Sequence, residues 1–456
     1  MAKVGLLGLY LELYDIRNPS MRTVVEGFYE TIAAELEKRG LGVIRHPVCR
    51  LENEFKEAVK NFENNGAEGL VTLHLAYSPS LESSEVLSKT DLPIYILDTT
   101  PDFNFSVSDE YNAISYNHGI HGVQDMCNLL LRNGKNFVIE AGHWKESDVI
   151  DKLCNHITTE NEGMYGTRVG IIGEPFKGMG DFAVGFDVLQ EKMGIETVSC
   201  DYEELKEYIK NVTDTDIEEE IRENELNFNV NIKDPSLYES NIKTCLGVRK
   251  WLKNNDLDAF TVNFMDVDSK NGLSSVPFYE ASKQMAAGKG YAGEGDVMTS
   301  ALVFAFQKQG CETSFTEIFC PDWAEDALFL SHMGEMNISL CNGSPVLHEK
   351  DYIFSDVEVN PIVFSGEFKP GKAFLVNLSP SANGEFTLIA APIEVFSCEK
   401  VKIGVRGWFR PAIPISEFLA EYSLHGGTHH SALVYGECMD KIKSLAYTMK
   451  FNLIKI

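Results

Sequence analysis

Apolar residues along this chain fall into two alternating patterns. Some form short unbroken runs; others recur every three or four positions. KVGLLGLY (3–10) is such a run and predicts a buried strand. MRTVVEGFYETIAAELEKR (21–39) has helical spacing, and Gly40 stands where a helix stop belongs. The alternation continues: GVIRHPV predicts a strand, NEFKEAVKNFENN a helix, and GLVTLHLAY, LPIYILDTT and NFVIEAG further strands, with a helix over 119–132. Apolar strands separated by helices predict a parallel sheet covered on both faces. The first α/β domain is placed at 1–165.

TRVGIIGEPFKGMGDF (167–182) restarts the rhythm with a strand and a Gly-rich turn. A helix near 184–193, a strand at ETVSCDY, a helix at KTCLGVRKWLKN and a strand at AFTVNFMDV follow. A helix from Asp296 to Gln309 closes a second α/β domain, 166–310. The charge run DTDIEEEIREN (214–224) reads as a solvated helix face. Beyond residue 310, DALFLSHMGEMNISL, PIVFSGEF, KAFLVNL, GEFTLIAAPIEVFS and KVKIGVRGWF read as strands split by Gly, Asn, Ser and Pro. Helical spacing returns only near residue 437. The expected class is α/β: two Rossmann-like parallel-sheet domains followed by a mostly antiparallel β-rich domain, 311–456.

Composition narrows the function. At 456 residues the chain needs more than one core. Its net charge of −28, from 68 acids against 40 bases, excludes nucleic acid and anionic membrane surfaces as partners. A neutral small molecule is unaffected by that field. The ten cysteines include no CxxC pair and mostly sit in apolar runs. They read as free, buried thiols of a reducing compartment. The opening MAKVGLLGLYLELYD lacks the pattern of a signal peptide, and no apolar run approaches the roughly 18 residues of a membrane span. The expectation is a soluble cytoplasmic protein.

Familiar catalytic motifs are missing. GEPFKGMG fits neither a dinucleotide loop nor a Walker A, and there is no G-x-S-x-G elbow. Four other segments carry chemistry. In YAGEGD (291–296), Glu294 lies between glycines just before a helix that Asp296 can cap. In TSFTEIF (313–319), Glu317 sits on a strand among apolar residues. FLSHMGEM (329–336) places His332 on another strand. SLHGGTHHSALVYG (423–436) holds three of the eleven histidines. Adjacent residues of a strand point to opposite faces, so only one of His429 and His430 is expected at a shared site unless the backbone bends. Each segment alone also reads plainly, as a capped loop, a surface glutamate or a core histidine. Together they offer carboxylate and imidazole donors without a thiol, a set suited to Mn²⁺ or Co²⁺ more than to a structural Zn²⁺.

GEGDVMTSAL, TSFTE, LSHMGE and GGTHH, in that order and preceded by HGVQD (121–125), resemble segments of the L-arabinose isomerase family, within the L-fucose/L-arabinose isomerase group. The resemblance covers nearly the whole chain. It implies that Glu294 and Glu317 are catalytic and bind the metal with His332 and one of the histidine pair, His430 in preference to His429. It also implies that His121 contacts the sugar, supplied by a neighbouring subunit, and that the protein is a hexamer or trimer preferring Mn²⁺. Where the family carries a sugar-holding Gln after its first strand, this chain has Glu12 and Tyr14 in GLYLELYD. The implied reaction is aldose–ketose isomerisation, proton transfer between C1 and C2 through an enediol. Two carboxylates with separated pKa values can divide that work. Two alternatives stay open: a sugar-binding or regulatory protein on the same scaffold, and a metal-dependent sugar epimerase. The remaining histidine of the pair either holds the sugar or packs.

Overall fold

The computed structural model describes residues 1–104, 111–158, 163–268, 272–398, 400–402 and 404–456. The chain forms two compact units, Met1–Asn161 and Glu162–Ile456.

The first unit is built on five parallel strands: β1 (Lys3–Leu9), β2 (Gly42–Arg45), β3 (Gly69–His74), β4 (Ile94–Asp98) and β5 (Val138–Ala141), in the order β2-β1-β3-β4-β5. The apolar run of β1 is buried from Val4 to Leu9. The helix Met21–Lys38 buries Val25, Phe28, Tyr29, Ile32 and Leu36, the stripe its spacing predicts. The segment after β1, which carries Glu12 and Tyr14, contains a short helix, Glu12–Arg17. Asp15 anchors it by accepting from Arg50, at 2.8 Å, and Arg22, at 3.3 Å.

The second unit opens with β6 (Arg168–Ile172) and β7 (Glu196–Ser199); β8 (Asn229–Asn231) leaves this run, and β9 (Ala259–Val262) and β10 (Gly290–Gly293) rejoin it. The resulting parallel sheet has the order β10-β9-β6-β7. The charge run lies on the helix Asp214–Asn227 but is not simply a solvated face: Ile217, Glu220 and Asn224 are buried. Arg249 explains why. Its guanidinium donates two bonds of 2.8 Å to Glu220 and bonds of 2.8 and 2.9 Å to the fully buried Glu280. Tyr279 adds a hydroxyl to both Glu220 and Asn224.

The remaining strands are β11 (Thr313–Asp322), β12 (Ala327–Ser331), β13 (Val346–Glu349), β14 (Ile362–Glu367), β15 (Gly371–Pro380), β16 (Phe386–Phe396), β17 (Val405–Pro411), β18 (His430–Tyr435) and β19 (Asn452–Lys455). They join β8 in a ten-stranded sheet. Six of them, β16-β15-β18-β11-β12-β17, close into an antiparallel barrel because β17 also pairs with β16. The two-residue alternation of the strands then sorts the side chains. Leu330, Leu375, Ile389, Phe409 and Leu433 share the barrel's core. Phe315, Phe374, Val376, Ala432 and Val434 join the other core, with Met298, Ala301 and Leu302 of the helix Val297–Lys308.

Two expectations for this region are corrected. A helix, Ile415–Leu424, precedes the expected final one, Met439–Met449; its stripe Ile415, Phe418, Tyr422 is buried. All ten cysteines are free, but only five are buried: Cys127, Cys200, Cys341 and Cys398 are half-buried, and Cys320, toward the end of β11, is exposed. No described helix is long and apolar enough to cross a membrane.

Candidate active site

The register of β11 against β18 sets Glu317 opposite His430. Directly opposed residues of an antiparallel pair project to the same side. Here that side is the one that carries Phe315, Ala432 and Val434 into the core shared with the helix Val297–Lys308. Glu294 arrives from the other sheet, one residue past β10. Its backbone is left-handed, φ +63°, which for a residue with a side chain costs on the order of 1–3 kcal/mol. Two bonds of 2.9 Å hold it there, from Glu294 N to the Val262 carbonyl and from Phe176 N to the Glu294 carbonyl. The flanking glycines answer to close approach. A Cβ on Gly293 would stand 2.8 Å from Cε1 of His332, and one on Gly295, at φ +82°, would stand 2.6 Å from Cα of Pro175.

Three imidazoles converge on the two carboxylates. His430 Nε2 lies 3.0 Å from Glu317 Oε1 and 3.4 Å from Glu294 Oε2. His429 Nε2 lies 3.5 Å from Glu294 Oε2, and His332 Nε2 lies 3.2 Å from Glu317 Oε1. One donor atom from each of Glu294, Glu317, His429 and His430 falls within 4.8 Å of the others, while His332 joins the group through Glu317. The expectation that only one of the histidine pair shares the site is corrected. β18 begins at His430, so His429 belongs to the preceding turn and strand alternation does not govern it. His332 likewise stands one residue beyond β12.

Each ring is anchored at its other nitrogen by a carboxylate: His332 Nδ1 to Glu335 at 2.7 Å, His430 Nδ1 to Asp296 at 2.9 Å, and His429 Nδ1 to Asp181 at 2.6 Å. With Nδ1–H donating to its anchor, Nε2 is left to face the cluster, where a bound cation would replace its proton and take its lone pair. Tyr291 supports Glu335 with a hydroxyl bond of 2.9 Å. Phe182 stacks on His430 at 5.0 Å, and Phe315 stands edge-on to both His332 and His430. Of these supports, only Asp296 is anticipated by the sequence, as the helix cap it forms through Thr299 N at 2.8 Å. Glu335 had a readable signal, three residues after His332; Asp181 lies in the GMGD turn, whose spacing says nothing about a histidine far along the chain.

The electrostatics follow from this packing. Burial raises the Glu294 carboxyl, but the His429 and His430 rings outweigh it and bring the value to about 2. Glu317 moves further down: burial opposes, and His332 and His430 prevail. Burial lowers His332, yet Glu335 and Glu317 raise it to about 10. His430 is pushed well above its usual range despite burial, through Asp296, Glu294 and Glu317. The pocket thus concentrates negative charge and favours a cation. Glu294 Oε2 and His430 Nε2 are both buried without a hydrogen-bond partner, although they stand 3.4 Å apart. Buried polar atoms left this way need another partner. An oxygen and nitrogen donor set with two orphaned atoms fits a divalent metal.

The remaining predicted residues belong to the first unit. Glu12 opens the short helix Glu12–Arg17. Tyr14 shares a 2.8 Å hydrogen bond with His118 Nε2, and the His118 ring lies 5.7 Å from that of His121, near the start of the helix Ile120–Arg132.

Comparison with known proteins agrees with this geometry. The L-arabinose isomerase central domain matches residues 188–311, and the L-arabinose isomerase C-terminal domain matches residues 312–452. The L-arabinose isomerase of Pediococcus pentosaceus is 25% identical over 433 residues, covering 86% of this chain and 85% of that protein. That of Phocaeicola vulgatus is 26% identical, covering 88% and 83%, and that of Shewanella baltica is 25% identical, covering 93% and 86%. With two domains of one family matched in tandem and relatives aligned along most of its length, the chain belongs to the L-arabinose isomerase family and is an aldose–ketose isomerase.

Proposed function

We propose that the cluster of Glu294, Glu317, His332 and His430 is the catalytic centre of a metal-dependent isomerase that converts an open-chain aldose to its ketose through an enediol. The observation that carries this reading is the meeting of two carboxylates on one buried imidazole, with His430 Nε2 at 3.0 and 3.4 Å from Glu317 and Glu294. The names of the relatives make L-arabinose the first substrate to try.

Moving a proton between C1 and C2 requires a base that takes it and returns it to the neighbouring carbon, and a second group that manages the oxygens. Glu294 and Glu317 approach His430 from different sheets, so one can face the carbon and the other the hydroxyls. Both stay ionised through the neutral range, as bases must. A divalent cation such as Mn²⁺, held by these carboxylates with His332 and His430, would polarise the carbonyl and offset the charge of the enediolate. His429 is the most exposed of the three rings, and it is the one placed to meet a sugar oxygen. Packing of Phe182 and Phe315 against the rings limits the water that could quench the enediol. His121, by family resemblance, and Glu12 and Tyr14, which stand where the family carries its sugar-holding Gln, belong to a sugar-contacting surface completed between subunits of a homo-oligomer.

Glu294→Gln and Glu317→Gln test the reading. Each is expected to lower kcat by roughly 10²–10⁴-fold or more, as loss of a positioned base does, while the far-UV spectrum and melting temperature stay near wild type. Full activity in either variant removes that residue from the catalytic role.

A further inference from the structure

Tyr352 lies in the segment between β13 and β14, and its ring is almost wholly buried, at 7% exposure. It packs edge-on against Phe264 at 6.3 Å, Phe278 at 5.5 Å and Phe354 at 5.5 Å. The segment is tied back by Tyr352 N donating to Asn360 Oδ1 at 3.2 Å. The hydroxyl, in contrast, is buried with no hydrogen-bond partner. Natural proteins rarely leave such a group unsatisfied without a reason. Its surroundings supply one. Phe176, whose N–H donates to the Glu294 carbonyl at 2.9 Å, packs on Phe264, and Phe264 packs on Tyr352, so the phenol stands one ring removed from the site. Burial first, then the fields of Glu335 and Glu294, hold it far above its usual range as a neutral O–H.

The rings packed around it are apolar. Phe176 lies 5.6 Å from Phe264, which lies 6.4 Å from Phe354; Met265 and Ile353 are exposed beside them. An aromatic wall carrying a single hydroxyl donor matches an open-chain sugar, whose carbon backbone presents C–H faces and spaced oxygens.

We propose that Tyr352 is a substrate-binding residue whose hydroxyl donates to an oxygen of the bound sugar, with Phe264 and Phe354 offering their faces to the C–H backbone. This rests on the isomerase reading, and it adds a polar contact outside the carboxylate–imidazole cluster.

The test is Tyr352→Phe in the full chain supplied with Mn²⁺. A side chain that bonds only substrate loses nothing in the sugar-free protein, so the melting temperature without sugar is expected to equal or exceed wild type. With L-arabinose, or whichever aldose the wild type converts, kcat/KM is expected to fall about tenfold, the scale of one neutral hydrogen bond, chiefly through KM. A second readout does not depend on turnover: thermal stabilisation by L-arabinitol, ribitol and galactitol, which cannot isomerise. At least one is expected to stabilise the wild type and to stabilise Y352F less. If the wild type converts no aldose, the isomerase reading fails while the polyol comparison still decides the tyrosine. Equal polyol responses in the two proteins, or a lower sugar-free melting temperature with unchanged KM, overturn the proposal.

Discussion

At the scale of single residues, the site depends on side chains that serve two elements at once. Asp296 is the clearest. One oxygen caps the helix Val297–Lys308 through Thr299 N, and the other holds His430 Nδ1. Asp296→Ala is expected to remove both functions. Losing the cap costs about 1 kcal/mol of stability, and losing the anchor weakens metal affinity by roughly 10–100-fold. Urea unfolding and calorimetric Mn²⁺ titration read the two separately. Asp296→Asn retains a capping oxygen, so its stability is expected to stay near wild type; an equal loss in both variants would contradict the cap. The glutamates and histidines themselves were legible in the sequence because carboxylates and imidazoles beside glycines or within apolar strands are unusual. The anchor Asp181 was not, since an ordinary turn aspartate looks the same until a histidine from elsewhere lies against it; Glu335 was readable only through its place three residues after His332. Tyr352 was equally hidden: an orphaned hydroxyl can be recognised only once its surroundings are known.

At the scale of elements, periodicity carried most strands of both parallel sheets, which read as apolar runs, but it missed the short edge strand β10, whose GYAG read as a loop, and the helices Tyr202–Lys210 and Phe278–Ala286. It could not supply the closure of the barrel, which depends on the long-range pairing of β16 with β17. It also missed the helix Ile415–Leu424, a short element beside the strands of the barrel. The charge run shows the opposite failure. Its acids read as solvent-facing, yet Glu220 is drawn inward by Arg249 from a helix further along. Burial raises the Glu220 carboxyl, but Arg249 wins and lowers it from 4.5 to about 2. A carboxyl depressed on folding stabilises the protein above its unfolded value and loses that contribution as pH falls through the folded one. The contribution of Glu220 is therefore present above pH 4.5 and lost toward pH 2. A shift of that size corresponds to about 3 kcal/mol. Glu220→Gln is expected to be less stable than wild type by about that amount at neutral pH, with the gap shrinking below pH 4.5. A gap independent of pH, measured by denaturant unfolding across that range, would show that Glu220 contributes through packing alone.

At the scale of the whole molecule, the acidic and imidazole groups of the cluster all come from the second unit, where a parallel sheet and an antiparallel barrel share one core. The sheet contributes Glu294 just past the end of β10, and the barrel contributes Glu317 and His430 from paired strands. The barrel thus fixes one carboxylate–imidazole pair by register, and the sheet brings the other carboxylate to it. This division also explains why the site is scattered along the sequence: each donor sits where an element ends or two strands face. The net charge of −28 is compatible with a neutral sugar and a bound cation. The most direct test of the account is Mn²⁺ titration of chelator-stripped protein, following bound metal and ketose formation in the same sample. The account predicts no turnover when stripped, one tight Mn²⁺ per chain, and activity that rises in proportion to occupancy. Full turnover by the stripped protein, or activity that appears without binding at this site in the Glu317→Gln variant, would contradict it.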